Sequence, residues 1–119
     1  MVIHNRKELK EVINYEKNLY ISQVSLIRLI YLCICQDYTY QRWRFVYYLR
    51  KCEFYMNRKD LISRGLYVWN KRKKNMYGSK CNIEIFEGTT GKGLLLYHNN
   101  IVINYKCSVG ENCKFHGMN

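Results

Sequence analysis

The chain has 119 residues, of which 48% are hydrophobic, and 20 Lys and Arg stand against 9 Asp and Glu for a net charge of +11. That length admits one compact unit, or a small domain with a fragment of another, and the composition is globular, not disordered. Proline is absent, which excludes a Pro-rich linker or polyproline ligand, while 12 tyrosines supply core surface that keeps one polar edge wet.

In chain order, Asn5-Arg6-Lys7-Glu8 has the form of a helix N-cap followed three residues on by an acid. Leu9, Val12, Ile13 and Tyr20 follow at helical spacing. Ser22 or Ser25 can open a second helix through the apolar run of residues 26–35. Arg28 interrupts that run, which has about half the length of a bilayer span, so a core helix is expected and not a membrane anchor. A third helix is expected over residues 40–56, with Phe45, Tyr48, Leu49, Cys52 and Tyr55 inward and Arg42, Arg50 and Lys51 largely off that stripe. A fourth is expected over residues 60–76, with Ile62, Leu66 and Trp69 inward. Its basic run Lys71-Arg72-Lys73-Lys74 would lie near the C-terminal end, where cations complement the helix dipole.

The pattern changes near residue 80. Glycine recurs at Gly88, Gly91, Gly93, Gly110 and Gly117, and no helical period survives. The candidate inward residues Thr90, Leu96, Ile103, Val109 and Phe115 are spaced six, seven, six and six residues apart. Two short phrases match one another, Val109-Gly110-Glu111-Asn112 and Phe115-His116-Gly117-Met118. A six-residue period is the mark of a parallel β-helix, in which three short strands make one triangular coil.

Six cysteines, Cys33, Cys35, Cys52, Cys81, Cys107 and Cys113, fit no zinc spacing. Cys33-Ile34-Cys35 lies inside the apolar run, and Cys107 and Cys113 form a C-x5-C with His116 nearby. The first residues lack the apolar stretch of a signal peptide, so the expected compartment is the cytoplasm, where thiols stay reduced. Buried free cysteine is the expectation for most of the six, with no metal.

The stretch Gly91-Lys92-Gly93-Leu94-Leu95-Leu96-Tyr97-His98-Asn99-Asn100-Ile101-Val102-Ile103-Asn104 resembles the first coil of the serine O-acetyltransferase family of hexapeptide-repeat enzymes. That family typically reads G-x-G, three apolar residues, x-H-x-x-G-I-V. The following Cys107-Ser108-Val109-Gly110-Glu111-Asn112-Cys113 is similar to its next turns, and Leu49-Arg50-Lys51-Cys52-Glu53-Phe54-Tyr55 to the helical domain of its short members. The resemblance implies an α+β chain: a helical domain over residues 1–80, then the beginning of a left-handed parallel β-helix over residues 81–119. It also implies transfer of acetyl from acetyl-CoA, a co-substrate and not a bound cofactor, to the hydroxyl of L-serine, a step of cysteine biosynthesis. The acetyl-CoA groove of the family lies mostly on further coils, so a chain stopping at Asn119 would be a truncated member.

By the resemblance His98 is the catalytic base and Glu84 the acid that orients it. The chemistry suits these residue types. A hydroxyl is a weak nucleophile at neutral pH, imidazole titrates in that range, and a carboxylate on its far nitrogen fixes the tautomer. Tyr97 stands where long members carry an acid that holds the amino acid, and Asn100 replaces the glycine before Ile-Val, a position asparagine can hold in a left-handed corner. A sugar hydroxyl of a surface polysaccharide is the alternative acceptor. Family β-helices associate as trimers, so a homo-oligomer is expected, and an assembly fragment joined to longer partners is a further reading.

The charge also permits nucleic-acid binding, with Trp43 as a stacking platform, phosphate contacts from Arg42 and Arg44, and the Lys71 to Lys74 cluster beside them. On a helix those aromatics fall at core spacing, and no helix-turn-helix, zinc-finger or RNA-recognition signature is present. Nucleic acid is therefore not the expected partner.

Overall fold

The structure, a computed structural model, describes residues 1–22 and 24–115. Four helices, α1 (Arg6–Tyr20), α2 (Leu26–Ile34), α3 (Tyr38–Tyr55) and α4 (Leu61–Cys81), precede four short strands, β1 (Ile83–Ile85), β2 (Leu95–Leu96), β3 (Ile101–Ile103) and β4 (Lys114–Phe115). The chain is thus a mixed α+β protein. His116, Gly117 and Met118 of the second short phrase lie outside the described residues.

Each helix begins on a side-chain cap. Asn5 Oδ1 accepts from the Glu8 N–H at 2.9 Å while Glu8 Oε2 accepts from the His4 N–H, so donors at the helix start are satisfied from both directions. Ser25 caps α2, and Asp60 caps α4. Asp37 accepts from the N–H groups of Thr39 and Tyr40, which starts α3 two residues earlier than the apolar stripe suggests.

Three sequence expectations are overturned. The apolar run of α2 is not a core helix: none of its residues is fully buried, and Ile27 is 81% exposed. It rests on the core only through Leu29, with Val24 before it. Ile62 and Trp69 of α4 also face out, and the helix buries Ser63, Asn70, Lys74, Gly78 and Cys81 instead. The facing α3 is bulky and buried nearly all round, so small and hydrogen-bonded residues fit the narrow space between them. The helix also runs on to Cys81, past Gly78; a Cβ there would lie 2.6 Å from the Ile83 carbonyl of β1, so the glycine serves close packing, not termination. The basic run is consequently mid-helix. Finally, only Cys52 and Cys81 of the six cysteines are buried; Cys33, Cys35 and Cys107 are exposed because the segments carrying them lie at the surface. Burial pushes the Cys52 thiol up to about 12, with the Glu87 charge adding to the shift.

After α4 the chain winds back over itself. β1 pairs in parallel with β3, bringing Ile83 to Ile101 and Ile85 to Ile103; β2 pairs in parallel with β4, Leu96 meeting Phe115; and a parallel bridge joins Thr90 to Val109. Partners are thus 18 or 19 residues apart, and the five residues marked by the six-residue spacing point inward. Thr90, Leu96 and Ile103 are buried, while Val109 and Phe115 pack partly buried on the same core. Corners stack too. Asn82 and Asn100 both have positive φ, and Asn82 Nδ2 donates to Asn100 Oδ1 at 2.6 Å. Gly93, at φ +87, lies beneath Asn112, whose amide oxygen occupies the space a Cβ on Gly93 would need.

Alternate backbone groups of the first coil face opposite ways. On one side, the N–H groups of Gly91, Leu95 and Tyr97 donate to Val109, Cys113 and Phe115 of the second coil. On the other, no strand is present among the described residues, and helix side chains take its place. Tyr20 Oη donates to the Leu94 carbonyl and accepts from the Leu96 N–H; Arg42 Nε donates to the Leu96 carbonyl; Lys74 Nζ donates to the Ile85 carbonyl. Glu16 Oε2 accepts from the N–H groups of Gly93 and Leu94, and Glu53 Oε2 from that of Gly88.

Arg50 joins these groups. Its side chain has no exposed surface, forks onto Glu16 at 2.8 and 2.7 Å, and reaches Glu53 at 2.7 Å and the carbonyls of Thr90 and Gly91. The Met1 amine, 3.0 Å from Glu53 Oε2, supplies the second cation, so two buried carboxylates face two cations. Arg42 and Arg50, read as largely off the apolar stripe of α3, are thus both buried, Arg50 among ion pairs and Arg42 through hydrogen bonds to neutral oxygens.

No helix among the described residues is long and apolar enough to cross a membrane. Arg50→Met, which strands two buried carboxylates, is expected to lower unfolding free energy by about 3–5 kcal/mol, read by urea denaturation. Glu87 supplies a pH test. Burial opposes its ionisation, yet the hydrogen bond and charge of Lys74 outweigh this and hold its carboxyl below the ordinary 4.5. A carboxyl with a lowered folded-state pKa stabilises above its ordinary value and loses that contribution as pH falls through the lowered one. The stability gap between wild type and Glu87→Gln should therefore be full at neutral pH and close in strong acid, measured as the shift of the urea midpoint.

Candidate active site and its surroundings

His98 follows β2 at the corner where the chain turns toward β3, and it is exposed. That corner is held from below by Arg42 of α3, whose Nε reaches the Leu96 carbonyl and whose Nη1 donates to Asn99 Oδ1, both at 3.0 Å. A third donor, Nη2, reaches Thr39 Oγ1 at 3.3 Å. The imidazole itself makes no hydrogen bond or ion pair among the described residues, which leaves both ring nitrogens available to a ligand. Tyr97, its neighbour, is 39% exposed, and its backbone N–H is tied to Phe115 of the next coil.

Glu84 sits in the middle of β1 opposite Val102, exposed on the outer face of the coil. It lines a cavity of about 250 Å³ with Lys74, Asn75, Ser79 and Asn82, over a floor of Phe45. No hydrogen bond joins it to His98. The structure places Glu84 on β1 and His98 after β2, with no hydrogen bond or ion pair between their side chains.

Asn99 was given no role by sequence reasoning, and Arg42 was weighed only as a phosphate contact, not as a support of this corner. A signal was available, because Arg42, Val46, Arg50 and Glu53 recur at four, four and three residues and so share a helix face with Leu49. A charged residue repeated on the face that carries Val46 and Leu49 points to a buried polar seam.

The nucleic-acid surface is not assembled. Trp43 is buried, with Tyr20 and Tyr47 rings 5.9 and 6.0 Å away, so its stacking face is occupied. Arg42 is bound to the coil, and Arg44 donates to the Tyr48 hydroxyl at 2.8 Å and lies over the Tyr47 and Tyr48 rings. Within the basic run, Lys71 and Lys74 both hold Glu87. Among the described residues no group of three His, Cys, Asp or Glu side chains is arranged to hold a metal ion.

No protein-family model, curated protein or solved structure matches this chain. The function is therefore argued from the site. Arg42→Leu leaves the Leu96 carbonyl without its side-chain donor, and unfolding free energy should fall by about 1–3 kcal/mol. Amide exchange at Tyr97, next to the loosened corner, should quicken more than exchange within α1, as read by mass spectrometry or NMR.

Proposed function

We propose that the chain is an acetyl-CoA-dependent O-acetyltransferase of the serine O-acetyltransferase type, with His98 as general base. The reading is carried by one coincidence: the motif from Gly91 to Asn104 lies where the chain pairs with itself in parallel 18 or 19 residues on, the interval of three six-residue edges or of two six-residue edges and one of seven. In this reading residues 81–119 begin a left-handed parallel β-helix, and residues 1–80 are the helical domain that precedes it. Exposed apolar residues on α2 and α4, among them Ile27, Ile34, Leu61 and Ile62, support assembly into a homo-oligomer, with the trimer of the resembled family as the expected form. A cytoplasmic setting belongs to the same reading.

In the reaction, a nitrogen of His98 takes the proton of the serine hydroxyl as the oxygen bonds to the thioester carbonyl carbon. The tetrahedral intermediate collapses, the carbon–sulfur bond breaks, and the imidazolium returns the proton to the CoA thiolate. O-acetylserine and CoA result, with no metal or bound cofactor required. Glu84 would orient the imidazole. Such hydrogen bonds often tighten only when substrate is bound, which accommodates the open arrangement of the two side chains. Tyr97, standing where an acid would hold an amino acid, keeps a sugar hydroxyl as the second acceptor.

The test is release of free CoA from acetyl-CoA by the purified chain, with L-serine, with polysaccharide-derived sugars, and with no acceptor. Serine-dependent multiple turnover is the expected result. His98→Ala should lower it by at least about 10²-fold, and Glu84→Gln by about tenfold or more. Full activity in His98→Ala removes the base assignment. A folded chain that releases no CoA with any acceptor overturns the enzyme reading in favour of an assembly partner.

A further inference from the structure

The turn between α3 and α4 holds a cavity of about 530 Å³ that shares no residue with the His98 corner or the Glu84 cavity. Its apolar wall is formed by Tyr55, Tyr67 and Val68, and its rim by Arg58, Lys59 and Arg64; no acidic side chain lines it. The Arg58 guanidinium lies 4.3 Å from the centre of the Phe54 ring, a cation–π contact that holds it at the cavity. Lys59 and Arg64 form no ion pair or side-chain hydrogen bond among the described residues. The nearest acid, Asp60, is engaged in capping α4 through the Ser63 N–H at 3.0 Å. Lys71, paired with Glu87, donates to the Tyr67 hydroxyl at 3.3 Å and holds that ring in place.

We propose that this cavity is a binding site for a nucleoside phosphate, independent of the acetyl-transfer site. The observation it rests on is the pairing of an aromatic wall with three cations, none of which forms an ion pair among the described residues. Like charges held close together repel one another, and a polyanion relieves that repulsion while accepting charge-assisted hydrogen bonds. Two arginines favour phosphate oxygens, which their planar forks engage in pairs. The half-buried Tyr67 ring offers a planar base a surface to lie against, and the volume falls within the range of about 300–1,000 Å³ typical of small-molecule sites.

The experiment is isothermal titration calorimetry of the 119-residue chain with ADP, and separately with adenosine and with inorganic phosphate. ADP should bind more tightly than either part alone, and its affinity should fall as ionic strength rises. Arg58→Gln with Arg64→Gln should weaken ADP binding by at least about tenfold, as loss of charge-assisted hydrogen bonds requires. Both arginines are exposed, and circular dichroism melting checks that the double variant is folded. Tyr67→Leu is the second variant, expected to bring the affinity for ADP toward that for phosphate. The proposal is overturned by absence of ADP binding, by adenosine or phosphate binding as tightly as ADP, or by unchanged ADP affinity in the folded double variant.

Discussion

Arg50 has no contact with water, yet it is the residue through which the two halves of the chain hold together. Its fork satisfies Glu16 from α1, and its remaining donors reach Glu53 on its own helix and the carbonyls of Thr90 and Gly91 on the coil. Ions of this kind gain little over a well-packed apolar replacement, because desolvation offsets most of their attraction. Their effect is geometric: only one placement of α1 against α3, and of both against the coil, leaves every charge paired.

The same seam solves the problem of where a coil begins. The first turn of stacked parallel strands has one edge with no neighbour, and unpaired backbone groups there would be costly if buried and adhesive if exposed. Here Tyr20, Glu16, Arg42, Glu53 and Lys74 meet those groups one by one, so side chains of three helices stand in for a missing strand. Arg42 extends this seam to Asn99, next to His98, which ties the candidate base to the helical layer.

Much of the backbone was legible in the sequence. The Asn5 cap, the six-residue spacing and the left-handed corner at Asn100 all rest on local chemistry, and local chemistry is what a single sequence displays. The errors share one cause. Arg50 was set off the apolar stripe and apolar runs were assigned to the core, but Arg50 is buried as a neutralised pair with Glu16, while Ile27 and Ile62 face outward. Whether a charge is buried depends on partners remote in sequence, and whether an apolar stripe is covered depends on what packs there; neither is encoded within one helical turn. His98 was found by motif. Its distance from Glu84 depends on how the corners stack, which the spacing left open.

A coil edge made of helix side chains also constrains the order in which this chain can fold. The groups that receive the first coil come from α1, α3 and α4, all of them earlier in the sequence, so the helical layer must be assembled before residues 83–96 have a surface to settle on. The second coil in turn pairs only with the first. Contacts between Arg50 and residues some forty positions on close late, after the local helices have formed. Each layer thus offers a surface to the one that follows it in the sequence.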